Sequence, residues 1–137
     1  MSTAGSRPVM PMIQVASVDA TREFYVGKLG FQHQMAVVSK DGQLDFCNLI
    51  YGGASLMFTR TGEPVPPGPR PVELYIETAD VDQLCEQVRK AGVDVSEPLT
   101  DQWWGDRTFV VTDPNGYRVW FYTTVSDAVP PPGMTIV

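Results

Sequence analysis

Two trios of residues combine groups capable of chemistry at a spacing of two: Glu73, Tyr75 and Glu77, and then Arg118, Trp120 and Tyr122. Alternation of this kind puts each trio on one face of an extended strand. Carboxylates beside aromatic rings suit two chemistries. One is capture of a cation stacked on the rings; the other is proton transfer by a carboxyl group whose pKa is raised in an apolar cleft. The pair Trp103-Trp104 ahead of Gly105, and Phe109 beyond it, add further stacking surface. Metal and nucleophile chemistry are poorly supplied, because the chain has a single histidine, His33, and its two cysteines, Cys47 and Cys85, lack any CxxC spacing. Both cysteines fall at apolar positions of their segments and read as buried free thiols in a reducing compartment.

The 137 residues include 10 Lys+Arg against 16 Asp+Glu, a formal charge of −6. An acidic chain of this size has no basic stripe with which to displace counterions from nucleic acid, nor to hold an anionic membrane. The hydrophobic share of 43% is enough for one compact core or for two small halves. Residues 1–7 lack the apolar stretch of a secretory signal, and no apolar run approaches the ~18 residues of a membrane span. A soluble, cytoplasmic protein is the expectation.

The elements that must position these groups occur twice in the same order. A short apolar strand, Pro11 to Val15, leads through the caps Ser17-Val18-Asp19 into a helix from Ala20 to Leu29 that stops at Gly30. The same phrase returns as a strand from Val72 to Ile76, caps Thr78-Ala79-Asp80, and a helix from Val81 to Ala91 stopping at Gly92. In the second helix Val81, Leu84, Cys85 and Val88 repeat at i, i+3, i+4, i+7, the pattern of one face laid on a sheet. The first is less regular, with Ala20, Phe24 and Leu29 as its core-facing candidates.

Three extended segments follow each helix. In the first half they are Phe31 to Val38, Gln43 to Ile50 and Ala54 to Arg60, with turns at Asp41-Gly42 and Gly52-Gly53. In the second they are Asp94 to Leu99, Arg107 to Thr112 and Tyr117 to Thr123, the last two joined by Asp113-Pro114-Asn115-Gly116. The organisation is an α+β fold of two βαβββ modules, residues 8–60 and 72–124, with a proline-rich linker over 61–71 and a proline-rich tail over 125–137. The tail is expected to be either disordered or laid on a neighbour.

Alternation assigns Ile13, Val15, Leu56, Phe58, Leu74, Ile76, Val119 and Phe121 to the helix-facing sides. The opposite sides carry Met10, Met12 and Gln14; Ser55, Met57 and Thr59; and the two trios. Two curved half-sheets with the helices outside would enclose a cleft lined by this mixed set, the composition of a small-molecule site.

The residues Val15-Ala16-Ser17-Val18-Asp19, Phe24-Tyr25, Leu29-Gly30-Phe31, Gly52-Gly53, Lys90-Ala91-Gly92 and Phe109 through Asp113-Pro114-Asn115-Gly116-Tyr117 resemble the vicinal oxygen chelate superfamily of glyoxalase, bleomycin-resistance and extradiol-dioxygenase proteins. The resemblance covers roughly residues 10 to 124 and implies paired βαβββ modules, usually in a homodimer. Metal-dependent members carry His on the first strand of each module and Glu or another ligand on the last. Those positions fall at Met10, Glu73, Met57 and Trp120, of which only Glu73 can ligate a divalent metal. The resemblance therefore implies the metal-free branch, similar to bleomycin-resistance proteins, which sequester a planar, often cationic ligand at the dimer interface without a cofactor. On that reading the ligand-binding candidates are Met10, Met57, Glu73, Tyr75, Trp103, Trp104, Phe109, Arg118, Trp120 and Tyr122. Trp103-Trp104 serves equally as a ligand platform or as a clasp on a partner subunit. The alternative is an enzyme: a metal-free isomerase or lyase with Glu73 as base and Arg118 or Tyr122 stabilising an anion, or a metal-dependent glyoxalase or dioxygenase.

Overall fold

The computed structural model describes residues 9–63, 66, 68 and 70–137. Expectations for residues 1–7 and for linker positions 64, 65, 67 and 69 fall outside these. The chain divides into two units, Met1–Pro69 with Asp113–Gly116, and Arg70–Thr112 with Tyr117–Val137.

The first unit runs β1 (Met12–Val15), α1 (Val18–Gly27), β2 (Gln32–Val38), β3 (Leu44–Tyr51) and β4 (Ala54–Arg60). Its sheet has the order β1-β4-β3-β2, with β1 parallel to β4 and the other pairs antiparallel. The second unit repeats the plan with β5 (Leu74–Glu77), α2 (Val81–Lys90), β6 (Val95–Asp101), β7 (Asp106–Thr112) and β8 (Arg118–Thr124), in the order β5-β8-β7-β6. These are the two βαβββ modules that the repeat implies. Among the described residues no helix is long and apolar enough to cross a membrane.

Local signals account for the helix ends. The side chains of Ser17 and Asp80 accept hydrogen bonds from the backbone N–H groups of Ala20 and Gln83, satisfying donors that the first turn leaves unpaired. Each helix then stops at a glycine of positive φ, Gly30 at 85° and Gly92 at 86°. Beyond them Phe31 and Val93 donate back to the carbonyls of Tyr25 and Val88, both at 3.0 Å.

The second helix buries the four residues its periodicity selects, Val81, Leu84, Cys85 and Val88. The first departs from expectation: it begins at Val18 and buries Val18, Thr21 and Tyr25, while Ala20 is exposed and Phe24 half-buried. Leu29 is buried as expected. The face is chosen by Tyr25, whose ring lies 5.0 Å from Phe58 and 5.1 Å from Phe31, and whose hydroxyl donates to Asp113 Oδ2 at 2.7 Å. Asp113 is buried; its Oδ1 accepts the Asn115 N–H, and the Asn115 amide reaches the Thr21 hydroxyl at 3.0 Å. The Asp113-Pro114-Asn115-Gly116 turn is thus part of the first unit's core, although the strands on either side of it belong to the second.

Cys47 and Cys85 are free and buried, as their apolar surroundings imply. Burial pushes the Cys47 thiol up to about 11 and raises that of Cys85. The tail departs from both expected alternatives over residues 125–129, where its backbone is hydrogen-bonded to the loop at Trp103 and Gly105 of its own unit.

Two measurements check this packing. Tyr25→Phe, which deletes a buried hydrogen bond to a carboxylate, should lower stability by about 2 kcal/mol in urea unfolding, with the m-value unchanged. In the native protein neither thiol should react with Ellman's reagent at pH 8 faster than about one-hundredth of the rate in urea, since the thiolate is the nucleophile and both sulfurs are enclosed.

Candidate functional site

β8 lies between β5 and β7, so its two faces decide what each side of the second sheet presents. The pairs Leu74–Val119, Ile76–Phe121 and Phe109–Phe121 fix the helix-covered face. Phe109 and Phe121 stack there at 5.4 Å, and both are fully buried. Phe109, expected as a ligand-stacking residue, is instead a core residue beneath α2. Its hairpin partner Phe121 carries it to the apolar side.

The other face brings together Glu73, Tyr75 and Glu77 of the β5 segment, Arg118, Trp120, Tyr122 and Thr124 of β8, and Asp106 and Thr108 of β7. Tyr75 and Tyr122 stack with centroids 4.5 Å apart and planes 21° from parallel, and Trp120 lies 5.8 Å from Tyr75. Tyr75 is 45% exposed and Trp120 and Tyr122 are half-buried, which leaves the rings an accessible surface.

Two polar networks hold the rings. At one end the Trp120 indole N–H donates to Glu73 Oε1 at 2.7 Å, and Arg118 Nε donates to the same oxygen at 3.0 Å. The second arm of Arg118 pairs with Glu97, and its guanidinium carbon sits 5.7 Å from the Trp120 ring centroid. At the other end the Tyr75 hydroxyl donates to Asp106 Oδ2 at 2.6 Å and accepts the Trp104 indole N–H at 2.8 Å. Thr124 donates to Asp106 Oδ1 at 2.7 Å, so both carboxylate oxygens are used. Trp103 stands edge-on to Trp104 with centroids 5.6 Å apart.

These contacts settle the electrostatics of the candidate base. The Trp120 indole and then the Arg118 guanidinium hold the Glu73 carboxyl below the usual carboxylate range, the opposite of what a general base near neutrality requires. Glu73 is an exposed, hydrogen-bonded carboxylate that anchors Trp120 and Arg118. Desolvation, with the Asp106 carboxylate adding to it, pushes the Tyr75 phenol up to about 12 against the opposing Trp104 bond. Burial and then the Glu77 and Asp106 charges raise Tyr122. Both tyrosines are protonated at neutral pH.

The metal positions implied by resemblance do not fit a divalent ion. Met10 and Met57 offer only thioethers, Trp120 only an N–H donor, and Glu73 is engaged by Arg118 and Trp120. Among the described residues no three His, Cys, Asp or Glu side chains converge on one point, and His33 is exposed on β2. No reaction step through a metal follows from this donor set.

Met10 is 43% exposed just ahead of β1, and Met57 is half-buried on β4 opposite Met12. Both belong to the first unit, whereas the residues of the aromatic network belong to the second. Sequence reasoning missed Asp106, Glu97 and Thr124. Asp106 and Thr124 were readable by pairing β7 with β8 across the 113–117 turn, which sets them opposite each other. Glu97 was not, because β6 is irregular between Val95 and Thr100.

Comparison with known proteins follows the fold. A protein of Mycobacterium bovis named only as uncharacterized is 29% identical over 117 residues, covering 79% of this chain and 77% of its own. TioX from Micromonospora sp. ML1 superposes with a TM-score of 0.71 at 25% identity, over 85% of this chain and 98% of TioX. A glyoxalase/bleomycin resistance protein/dioxygenase from Alicyclobacillus acidocaldarius gives 0.68 at 20% identity, over 86% and 91%. The family model for the Glyoxalase/Bleomycin resistance protein/Dioxygenase superfamily matches residues 7–121, nearly the whole of both modules, and the chain belongs to that superfamily.

Proposed function

We propose that the protein is a non-catalytic binder that sequesters a planar aromatic cation, with the ligand stacked on the Tyr75, Trp120 and Tyr122 face in a cleft of a homodimer. The observation that carries this reading is the stacked, solvent-accessible ring set on the side of the second sheet that α2 leaves uncovered. Stacking on such rings contributes about 0.5–1.5 kcal/mol per contact beyond area burial, and a cation above them adds a comparable amount.

Charge supports a cation. The face carries Glu73, Glu77, Glu97 and Asp106 against the single guanidinium of Arg118. Glu73 and Glu97 are taken up by Arg118, whereas Glu77 and Asp106, beside Tyr122, make no ion pair among the described residues. A ligand cation therefore gains most at the Glu77 end of the face. Engagement of Glu73 favours binding over proton transfer, because a carboxylate tied to a guanidinium and an indole is a poor proton acceptor. Exposed Met12, Met35, Val37 and Val38 support burial of the first unit's surface against a second copy.

Titration with the planar cation proflavine, followed by tryptophan fluorescence, tests this. Saturable quenching insensitive to chelators is expected, about tenfold weaker in Trp120→Ala. Glu77→Gln should weaken it about threefold at low ionic strength, a difference that vanishes at ~1 M salt. Unaltered affinity in both variants would sink the reading, and sedimentation at the mass of one chain would remove the homodimer from it.

A further inference from the structure

The hairpin between β6 and β7 is tight: the Gly105 N–H donates to the Gln102 carbonyl at 3.0 Å, and the Gln102 N–H to the Asp106 carbonyl at 2.7 Å. Its two central residues are the tryptophans, both half-buried, and Gly105 closes it at a φ of 102°. A turn of this kind carrying two large rings has little of its own to fix where they point.

The chain beyond β8 supplies what is missing. The N–H groups of Val125 and Ser126 donate to the Gly105 carbonyl at 2.9 and 3.1 Å, and the Val129 N–H donates to the Trp103 carbonyl at 2.7 Å. The contact is backbone against backbone: a Cβ on Gly105 would sit 2.3 Å from the Ser126 carbonyl oxygen, and the positive φ also selects glycine there. The side chains of Val125 and Val129 are 52% and 73% exposed, so the segment is held by these hydrogen bonds rather than by a buried apolar face. From the clamped turn the Trp104 indole reaches the Tyr75 hydroxyl.

We infer that residues 125–129 are a strap that positions Trp104 against Tyr75, making the C-terminal segment part of the ring face's construction. Trp104 and the strap are positioning elements. Their effect on affinity rests on the proposed binding function, and their effect on Trp104 rests on the hydrogen bonds alone.

Incorporation of fluorotryptophan, with the Trp104 fluorine resonance assigned by its loss in Trp104→Phe, reads the strap directly. Two variants remove the Val129 bond: truncation after Ser126, and Val129→Pro, which deletes the N–H donor while keeping the rest of the segment. Both should move the Trp104 resonance towards that of the free amino acid and raise its solvent isotope shift about twofold, with the Trp120 resonance unmoved. Proflavine affinity should fall about fivefold in both, since an unfixed wall must be ordered on binding. An unchanged Trp104 resonance in both variants overturns the strap. If the resonance responds while proflavine fails to bind even the unaltered protein, the strap stands and the binding function falls.

Discussion

A strand hydrogen-bonded on both edges must satisfy two environments at once, and β8 does so residue by residue. Val119 and Phe121 go beneath α2 with no exposed surface, so Arg118, Trp120, Tyr122 and Thr124 are delivered to the other side by the pleat alone. A slip of one residue would bury the guanidinium and expose the phenylalanine, a cost far above any alternative pairing. This register, locked by β5 and β7, is what sets Tyr75 opposite Trp120 and Glu77 opposite Tyr122. The aromatic face is thus a by-product of core formation in geometry, while its composition is free to serve function.

The modular repeat was legible because its signals are local: capping side chains, glycine stops and apolar periodicity each act within a few residues. The second helix, with Val81, Leu84, Cys85 and Val88 inward, follows its pattern. The first does not, because its inward face includes Thr21 and Tyr25, whose polar atoms are satisfied by Asn115 and Asp113 from a turn some ninety positions away. No local pattern carries that information. Most of the site was legible for the same reason as the sheet, through alternation on the β5 segment and β8. Phe109 was misplaced because its strand has no alternation of its own, reading Phe-Val-Val with all three buried. The signal lay in the hairpin that pairs it with Phe121.

Charge looked different once partners were visible. On sequence alone Glu73 and Glu77 are equivalent acids on one strand. In the structure one is paired with an arginine and hydrogen-bonded by an indole, and the other stands beside a tyrosine with no ion pair among the described residues. Glu97 is likewise paired with Arg118, whereas Asp106 is held by the hydroxyls of Tyr75 and Thr124. Partners sort the four carboxylates: Glu73, Glu97 and Asp106 build the face, while Glu77 is the one with no ion pair or hydrogen bond among the described residues, a distinction that net charge conceals.

The buried bond between Tyr25 and Asp113 joins residues 88 positions apart within one unit. During synthesis, β1 to β4 emerge and pair while the turn that completes their core is still unmade. The first unit therefore has an unfilled place for Asp113 and Asn115 until the turn after β7 has been made. Although the sequence reads as a tandem repeat, the two repeats are not beads on a string: the core of the first is completed by a turn that lies within the second.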